Sequence, residues 1–61
     1  MAAKFEIYKD KSGEYRWKLV HTNGQVIANS GEGYKAKENA MNGIKSVKEN
    51  AAAAAVDDKA I

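Results

Sequence analysis

Two stretches of alternating residues, KFEIYK (4–9) and EYRWKLVH (14–21), constrain this chain more than any other feature. In the first, Phe5 and Ile7 fall on one side, with Lys4, Glu6 and Tyr8 on the other. In the second, Tyr15, Trp17 and Leu19 share a side, and Arg16, Lys18 and Val20 share the opposite one. A period of two, rich in aromatic and β-branched residues, is the pattern of a half-buried strand. Between them lies DKSG (10–13), a turn sequence. Asp and Ser side chains bond to nearby backbone, and glycine accepts a positive φ. The chain therefore begins with a predicted β-hairpin.

Asn23-Gly24 predicts a second hairpin, since a two-residue type I′ turn needs positive φ at both central residues. QVIAN (25–29) is then the third strand. Such a turn sets Thr22 against Gln25, His21 against Val26, Val20 against Ile27 and Leu19 against Ala28. In the first hairpin, a slip of one residue would put Ile7 opposite Arg16 and break the apolar side. The predicted inner face is Phe5, Ile7, Tyr15, Trp17, Leu19, Val26 and Ala28, with Tyr15 near the rim. KENAMNGIKSVKEN (37–50) supplies a cover. Ala40, Ile44, Val47 and Ala51 recur at helical spacing, with Met41 beside them. Lys37, Glu38, Lys45, Lys48 and Glu49 fall mostly on the wet side. Gly43 inside a helix costs about 1 kcal/mol against alanine, which a close approach to the sheet would explain. Asn50 reads as a left-handed C-cap.

With 61 residues the chain is expected to form a single domain, 1–61. A domain this small buries only about 60% of its unfolded surface, so it is marginal alone. It has no cysteine and one histidine, which removes disulfides, thiolate metal sites and His clusters. Oligomerisation is the remaining common means of stabilisation. No stretch is apolar enough to span a membrane. MAAKFEIYKD has no apolar core of a signal peptide. A soluble cytoplasmic protein is the expectation. The net charge of +2 is too weak to imply nucleic acid.

The sharpest candidate site is SGEGYKAK (30–37), where two glycines precede two lysines at a helix start. Neither G-x-x-x-x-G-K-[ST] nor G-x-G-x-x-G is satisfied, and both belong to parallel βαβ units. Glu32 would repel a phosphate, while Lys35 and Lys37 near a helix N-terminus would attract an anion. Two readings stand: a joint between sheet and helix anchored by Tyr34, and a small-ligand or anion site in loop 31–37. His21 has no triad partner at motif spacing. Asp57-Asp58 reads as a solvated pair. The outer sheet face gathers Tyr8, Arg16, Lys18, Val20 and Ile27. It is read as a solvated face, as a protein contact or, less favoured, as a single-stranded nucleic-acid platform.

The tail AAAAAVDDKAI (51–61) is ambiguous on its residues alone. Alanine propensity prolongs the helix; Asn50, Val56 and Ile61 point to an end and an extended segment. In order, the Tyr-Lys-Asp turn, Arg16-Trp17, Asn23-Gly24, Gly33-Tyr34-x-x-Lys37 and Ile44-x-x-Val47-Lys48-x-Asn50 resemble the YegP-like family of small bacterial proteins of unknown function. The resemblance runs from about Phe5 to Val56. It implies a β-β-β-α-β unit, present once or twice in a chain. Two units then join into one sheet with exchanged C-terminal strands, here Ala53, Ala54, Ala55 and Val56. It carries over no catalytic residue. Two departures stand out: Ala36 replaces a frequent serine cap, and the alanines replace a more varied tail.

The expectation is therefore an α+β fold: a three-stranded antiparallel meander, one helix on one face and a short C-terminal strand. It is a homodimer, without catalytic activity, metal or cofactor. It acts as a protein-interaction module, or alternatively as an anion binder through Lys35 and Lys37. Nucleic acid and membrane are not expected partners.

Overall fold

A computed structural model describes residues 3–60. Three strands form one antiparallel sheet in sequence order: β1 (Ala3–Lys9), β2 (Tyr15–His21) and β3 (Val26–Asn29). One helix, α1 (Lys37–Asn50), packs on it, chiefly against β2. The α+β meander read from the sequence is present. Pairing of β1 with β2 sets Phe5 against Leu19, Ile7 against Trp17 and Tyr8 against Arg16. The apolar sides coincide, as the need to bury one face requires.

Both hairpins close through three-residue loops. In the first, the Asp10 N–H donates to the Glu14 carbonyl (2.8 Å) and the Gly13 N–H to the Asp10 carbonyl (3.0 Å). In the second, the His21 N–H donates to the Gln25 carbonyl (2.8 Å) and the Gly24 N–H to the His21 carbonyl (2.8 Å). The last loop residue is a left-handed glycine each time, with φ of 81° at Gly13 and 89° at Gly24. The two-residue type I′ turn expected at Asn23-Gly24 is thus corrected. Among the described residues only glycines have positive φ, so Asn23 does not meet its requirement. The longer loop puts Val20 opposite Val26, and an irregularity at Ile27 restores the pairing of Leu19 with Ala28. Val26 therefore lies across from an outer-face residue and is exposed. Ala28 keeps the predicted pairing yet is also exposed. The helix rests on β2 rather than over β3, which leaves the inner side of β3 uncovered.

The core is small. Trp17, Ala40 and Ile44 are buried, and Phe5, Ile7, Tyr15, Tyr34 and Val47 pack around them. The Phe5 ring meets Trp17 edge-on, at 5.5 Å between centroids and 75° between planes. Gly43 is where the helix crosses. A Cβ there would lie 2.7 Å from the Tyr34 hydroxyl and 3.2 Å from Trp17 Nε1. The close approach explains a glycine in mid-helix. Trp17 Nε1 is buried without a hydrogen-bond partner among the described residues, a cost of about 1–3 kcal/mol.

Beyond the helix the structure departs from expectation. Asn50 is not a left-handed cap. It stays helical and donates from Nδ2 to the Ser46 carbonyl (2.8 Å), and Ala51 closes the helix with φ −63°. The alanines do not prolong the helix beyond a turn at residues 51–53. Propensity alone holds short helices weakly, and no described residue after Val47 is buried against the sheet. The predicted strand at Ala53–Val56 is absent within the single chain. Residues 54–60 are irregular and exposed. Ile61, read with Val56 as a sign of extended chain, lies outside the described residues.

Gly43→Ala is expected to destabilise the fold by roughly 1–3 kcal/mol despite the gain in helix propensity, because overpacking outweighs it. Adding Tyr34→Phe removes the closest atom and should recover part of that loss. A denaturant-melt double-mutant cycle checks this; strict additivity would show that the contact at Gly43 is not the cause.

Candidate functional site

The joint between sheet and helix is built from three residues. Gly31 takes φ 74°, letting the chain reverse. Gly33 is needed for closeness instead: a Cβ there would collide with the Glu14 side chain, 2.9 Å from its Cβ. Tyr34 then exchanges two backbone hydrogen bonds with Tyr15, both 2.7 Å, and packs its ring on the core. These contacts account for the SGEGY sequence as an anchor. Lys35 and Lys37 follow as exposed residues with no ion pair among the described residues. Ala36 precedes the helix without a side-chain cap. No contact draws the two lysines toward a common point.

On the outer face, Tyr8, Arg16, Lys18 and Val20 are brought together by the β1–β2 register. Ile27 sits at the β3 irregularity and is exposed. Val26 joins them there, which the sequence reading had placed inside. The basic groups are engaged. Arg16 Nε donates to Asp10 Oδ2 at 2.6 Å. Lys18 lies 3.9 Å from a Glu6 carboxylate oxygen and 5.6 Å from the Tyr8 ring centroid. Lys4 also reaches Glu6, at 3.4 Å. These carboxylates reduce the net positive charge the face offers to a phosphate backbone. His21 is exposed at the hairpin and accepts the Asn23 N–H at Nδ1 (3.3 Å). Among the described residues, no group of three or more His, Asp or Glu is placed to hold a metal ion. No helix there is long and apolar enough to cross a membrane.

Asp10 organises the first hairpin. Its Oδ1 accepts the backbone N–H of Ser12 (2.9 Å) and of Glu14 (3.0 Å), while Oδ2 takes Arg16. The Arg16 hydrogen bond first, then the Glu14 N–H, hold its carboxyl below the usual carboxylate range. The same bond to Asp10 raises the Arg16 guanidinium.

A groove that the sequence reading missed opens between β1 and α1. Phe5, Ile7 and Leu19 line it from the sheet, Met41 and Ile44 from the helix, with Lys4 and Lys48 on its walls. Met41 is 51% exposed. Its place beside the apolar stripe of α1, one position off the buried residues, was the available signal. The tail provides a second unmatched apolar surface. Val56 is 95% exposed. Asp57 and Lys59 pair at 3.7 Å, and Asp58 accepts the Ala60 N–H.

Residues 10–58 match a domain of unknown function, DUF1508. The chain belongs to the DUF1508 family. This is the same family as the YegP-like resemblance, and it extends to archaea, so the restriction to bacteria was too narrow. A UPF0339 protein of Treponema denticola is 55% identical, with 92% of this chain and 95% of that protein aligned. A UPF0339 protein of Stutzerimonas stutzeri, in the ptx operon 5′ region, is also 55% identical over 84% of this chain. This chain spans only 45% of that relative's length. Among solved structures, an NMR structure of a Haloferax volcanii protein superposes with a TM-score of 0.88 at 52% identity. It covers 92% of this chain and 93% of its own. An Agrobacterium tumefaciens NMR structure gives 0.75 at 50% identity, over 92% and 89%. The DUF1508 fold is therefore shared across most of the chain, and the family's function is unknown.

The Asp10 carboxylate keeps its charge to lower pH in the folded chain than in the unfolded one. Its stabilisation is present above about pH 4, the unfolded value, and is lost as pH falls through the lower folded one. Asp10→Asn keeps an oxygen for the two amides and removes the charge facing Arg16. It should lower the melting temperature at neutral pH and reduce the further loss on acidification. An acid limb as steep as in the parent would place the titration elsewhere. For oligonucleotides, binding weaker than about 10 μM at physiological salt is expected, since the outer-face cations are paired. A tight, salt-sensitive complex in a fluorescence-anisotropy titration would reverse that ranking.

Proposed function

We propose that the chain is a homodimeric protein-interaction module, in which residues 53–56 of each copy leave their own fold and complete the other. One observation carries the reading. The family match runs to residue 58, so the tail belongs to the DUF1508 unit. Yet residues 51–60 are exposed throughout and cover none of the core. A conformation so costly in ordering needs contacts to hold it, and a second copy supplies them.

Three further observations support the reading. Only three of the described residues are buried in the single chain, with no disulfide to compensate. β1 and β3 are open sheet edges, which pair readily with an extended segment. The Stutzerimonas stutzeri relative is long enough for two such units in one chain. The role is binding rather than catalysis. The outer face is the surface offered to a further protein. It presents Tyr8, Val26 and Ile27 to solvent among the paired charges of Arg16, Lys18 and Glu6. For the alternative, an anion at Lys35 and Lys37, the structure adds nothing beyond an uncapped helix start.

Light scattering should give twice the 6.6 kDa chain mass, and the melting temperature should rise with protein concentration. Truncation after Asn50 should abolish the dimer and leave a largely unfolded product. A cooperatively folded full-length monomer at micromolar concentration, or a truncated chain that still dimerises, would overturn the proposal.

A further inference from the structure

We infer that Asn23 is a self-modification site, at which the Gly24 nitrogen displaces the side-chain amide and the β2–β3 loop becomes an isoaspartyl linkage. The inference goes beyond the proposed function and does not rest on the homodimer.

The chain carries Asn-Gly twice, at Asn23-Gly24 and at Asn42-Gly43. The chemistry open to both is the same. The glycine main-chain nitrogen gives up its proton and bonds to the asparagine Cγ. The bond from Cγ to the side-chain nitrogen breaks, ammonia leaves, and a cyclic succinimide remains. Water then opens the ring at either carbonyl. One opening gives aspartate. The other leaves the main chain running through the side-chain carbonyl, with the α-carboxylate free. Water is the only co-reactant. Glycine favours ring closure, because it has no Cβ to crowd the nitrogen and its main chain rotates freely.

The fold separates the two pairs. Asn23 and Gly24 are exposed, and a Cβ at Gly24 would meet nothing within 4 Å. Asn23 Oδ1 accepts the Gln25 N–H (2.9 Å), which turns the side chain onto the main chain that follows it. Only short-range bonds hold the loop: the Gly24 N–H to the His21 carbonyl (2.8 Å) and the Asn23 N–H to His21 Nδ1 (3.3 Å). Such bonds in an exposed loop open at little cost. Asn42 is exposed as well, so exposure does not distinguish the pairs. The main chain does. Asn42-Gly43 lies inside α1, where Gly43 makes the crossing, with its absent Cβ 2.7 Å from the Tyr34 hydroxyl and 3.2 Å from Trp17 Nε1. Closing a ring there breaks helical hydrogen bonds and lifts the backbone off the core, at a cost approaching that of unfolding.

The product changes β3. The isoaspartyl linkage adds a main-chain atom to a three-residue loop and a carboxylate to a chain of net charge +2. Hairpin register depends on loop length. The His21 N–H bond to the Gln25 carbonyl (2.8 Å) closes this loop, and β3 is an edge strand of 4 residues. Val26 and Ile27, the exposed apolar part of the outer face, follow Gln25 directly. The modification therefore loosens the strand that presents them.

The full chain is aged at mildly alkaline pH and digested with trypsin, which puts the two pairs in separate peptides, 19–35 and 38–45. Mass spectrometry with fragmentation reads each position. In the folded protein, position 23 should convert at least about tenfold faster than position 42, with isoaspartate among the products. In denaturant the two rates should converge, and Asn23→Gln should remove the fast conversion. Equal rates in the folded protein, or survival of Asn23, would overturn the proposal. Hydrogen exchange on the isoaspartyl form tests the consequence. The His21 amide should lose protection, while the Tyr34 amide, bonded to the Tyr15 carbonyl (2.7 Å) at the other end of β2, keeps it. Unchanged protection at His21 would overturn the effect on β3.

Discussion

The contact of α1 with Trp17 is what the rest of the structure depends on. Trp17 is the only buried residue contributed by the sheet, and it lies on the middle strand. Ala40 and Ile44 close over it from the helix, and Gly43 brings the helix backbone within reach of the indole and of Tyr34. Each neighbouring feature serves that crossing. Phe5 meets the indole edge-on, and Tyr34 fixes the start of the helix by pairing with Tyr15. A buried indole N–H without a partner is tolerated because aromatic area outweighs it.

A core of this size has a consequence at its margins. The helix covers the middle of the sheet, leaving the β1 side open as a groove and the inner side of β3 wet. Met41 beside the crossing is only half covered in the single chain, and Val56 in the tail is almost fully exposed. The chain thus carries an apolar segment and an apolar groove, neither of which meets its match within one copy. Homodimerisation, as proposed, gives the segment its cover. The outer face behaves differently. Its cations are paired in place, Arg16 with Asp10 and both Lys4 and Lys18 with Glu6, so it presents aromatic and aliphatic area among largely offset charges.

Much of this was legible in the residues. Alternation in 4–9 and 14–21 defined β1, β2 and their register, because a slip would expose the apolar side. The stripe of Ala40, Ile44 and Val47 located the helix and its buried face. Gly43 signalled a close approach, and Tyr34 an anchor. The second hairpin was misread because Asn-Gly is compatible with two loop lengths. That one-residue difference moved Val26 to the other face. The candidate site was less legible. Lys35 and Lys37 stood out as a motif but meet nothing, whereas the groove joins residues from 5 to 48, and no local pattern encodes their proximity.

By itself the sequence determined the order of the three strands and the helix, the β1–β2 register, the apolar faces of β1, β2 and α1, and membership of a family whose function is unknown. Those follow from periodicity and turn chemistry, which act over a few residues. Only the tertiary structure decided which predicted core residues are covered, where the helix stops and that residues 51–60 are exposed in the single chain. These depend on where one helix comes to rest on three strands. Trp17 and Gly43 set that position, and it leaves Val26, Ala28, Met41 and Val56 in solvent.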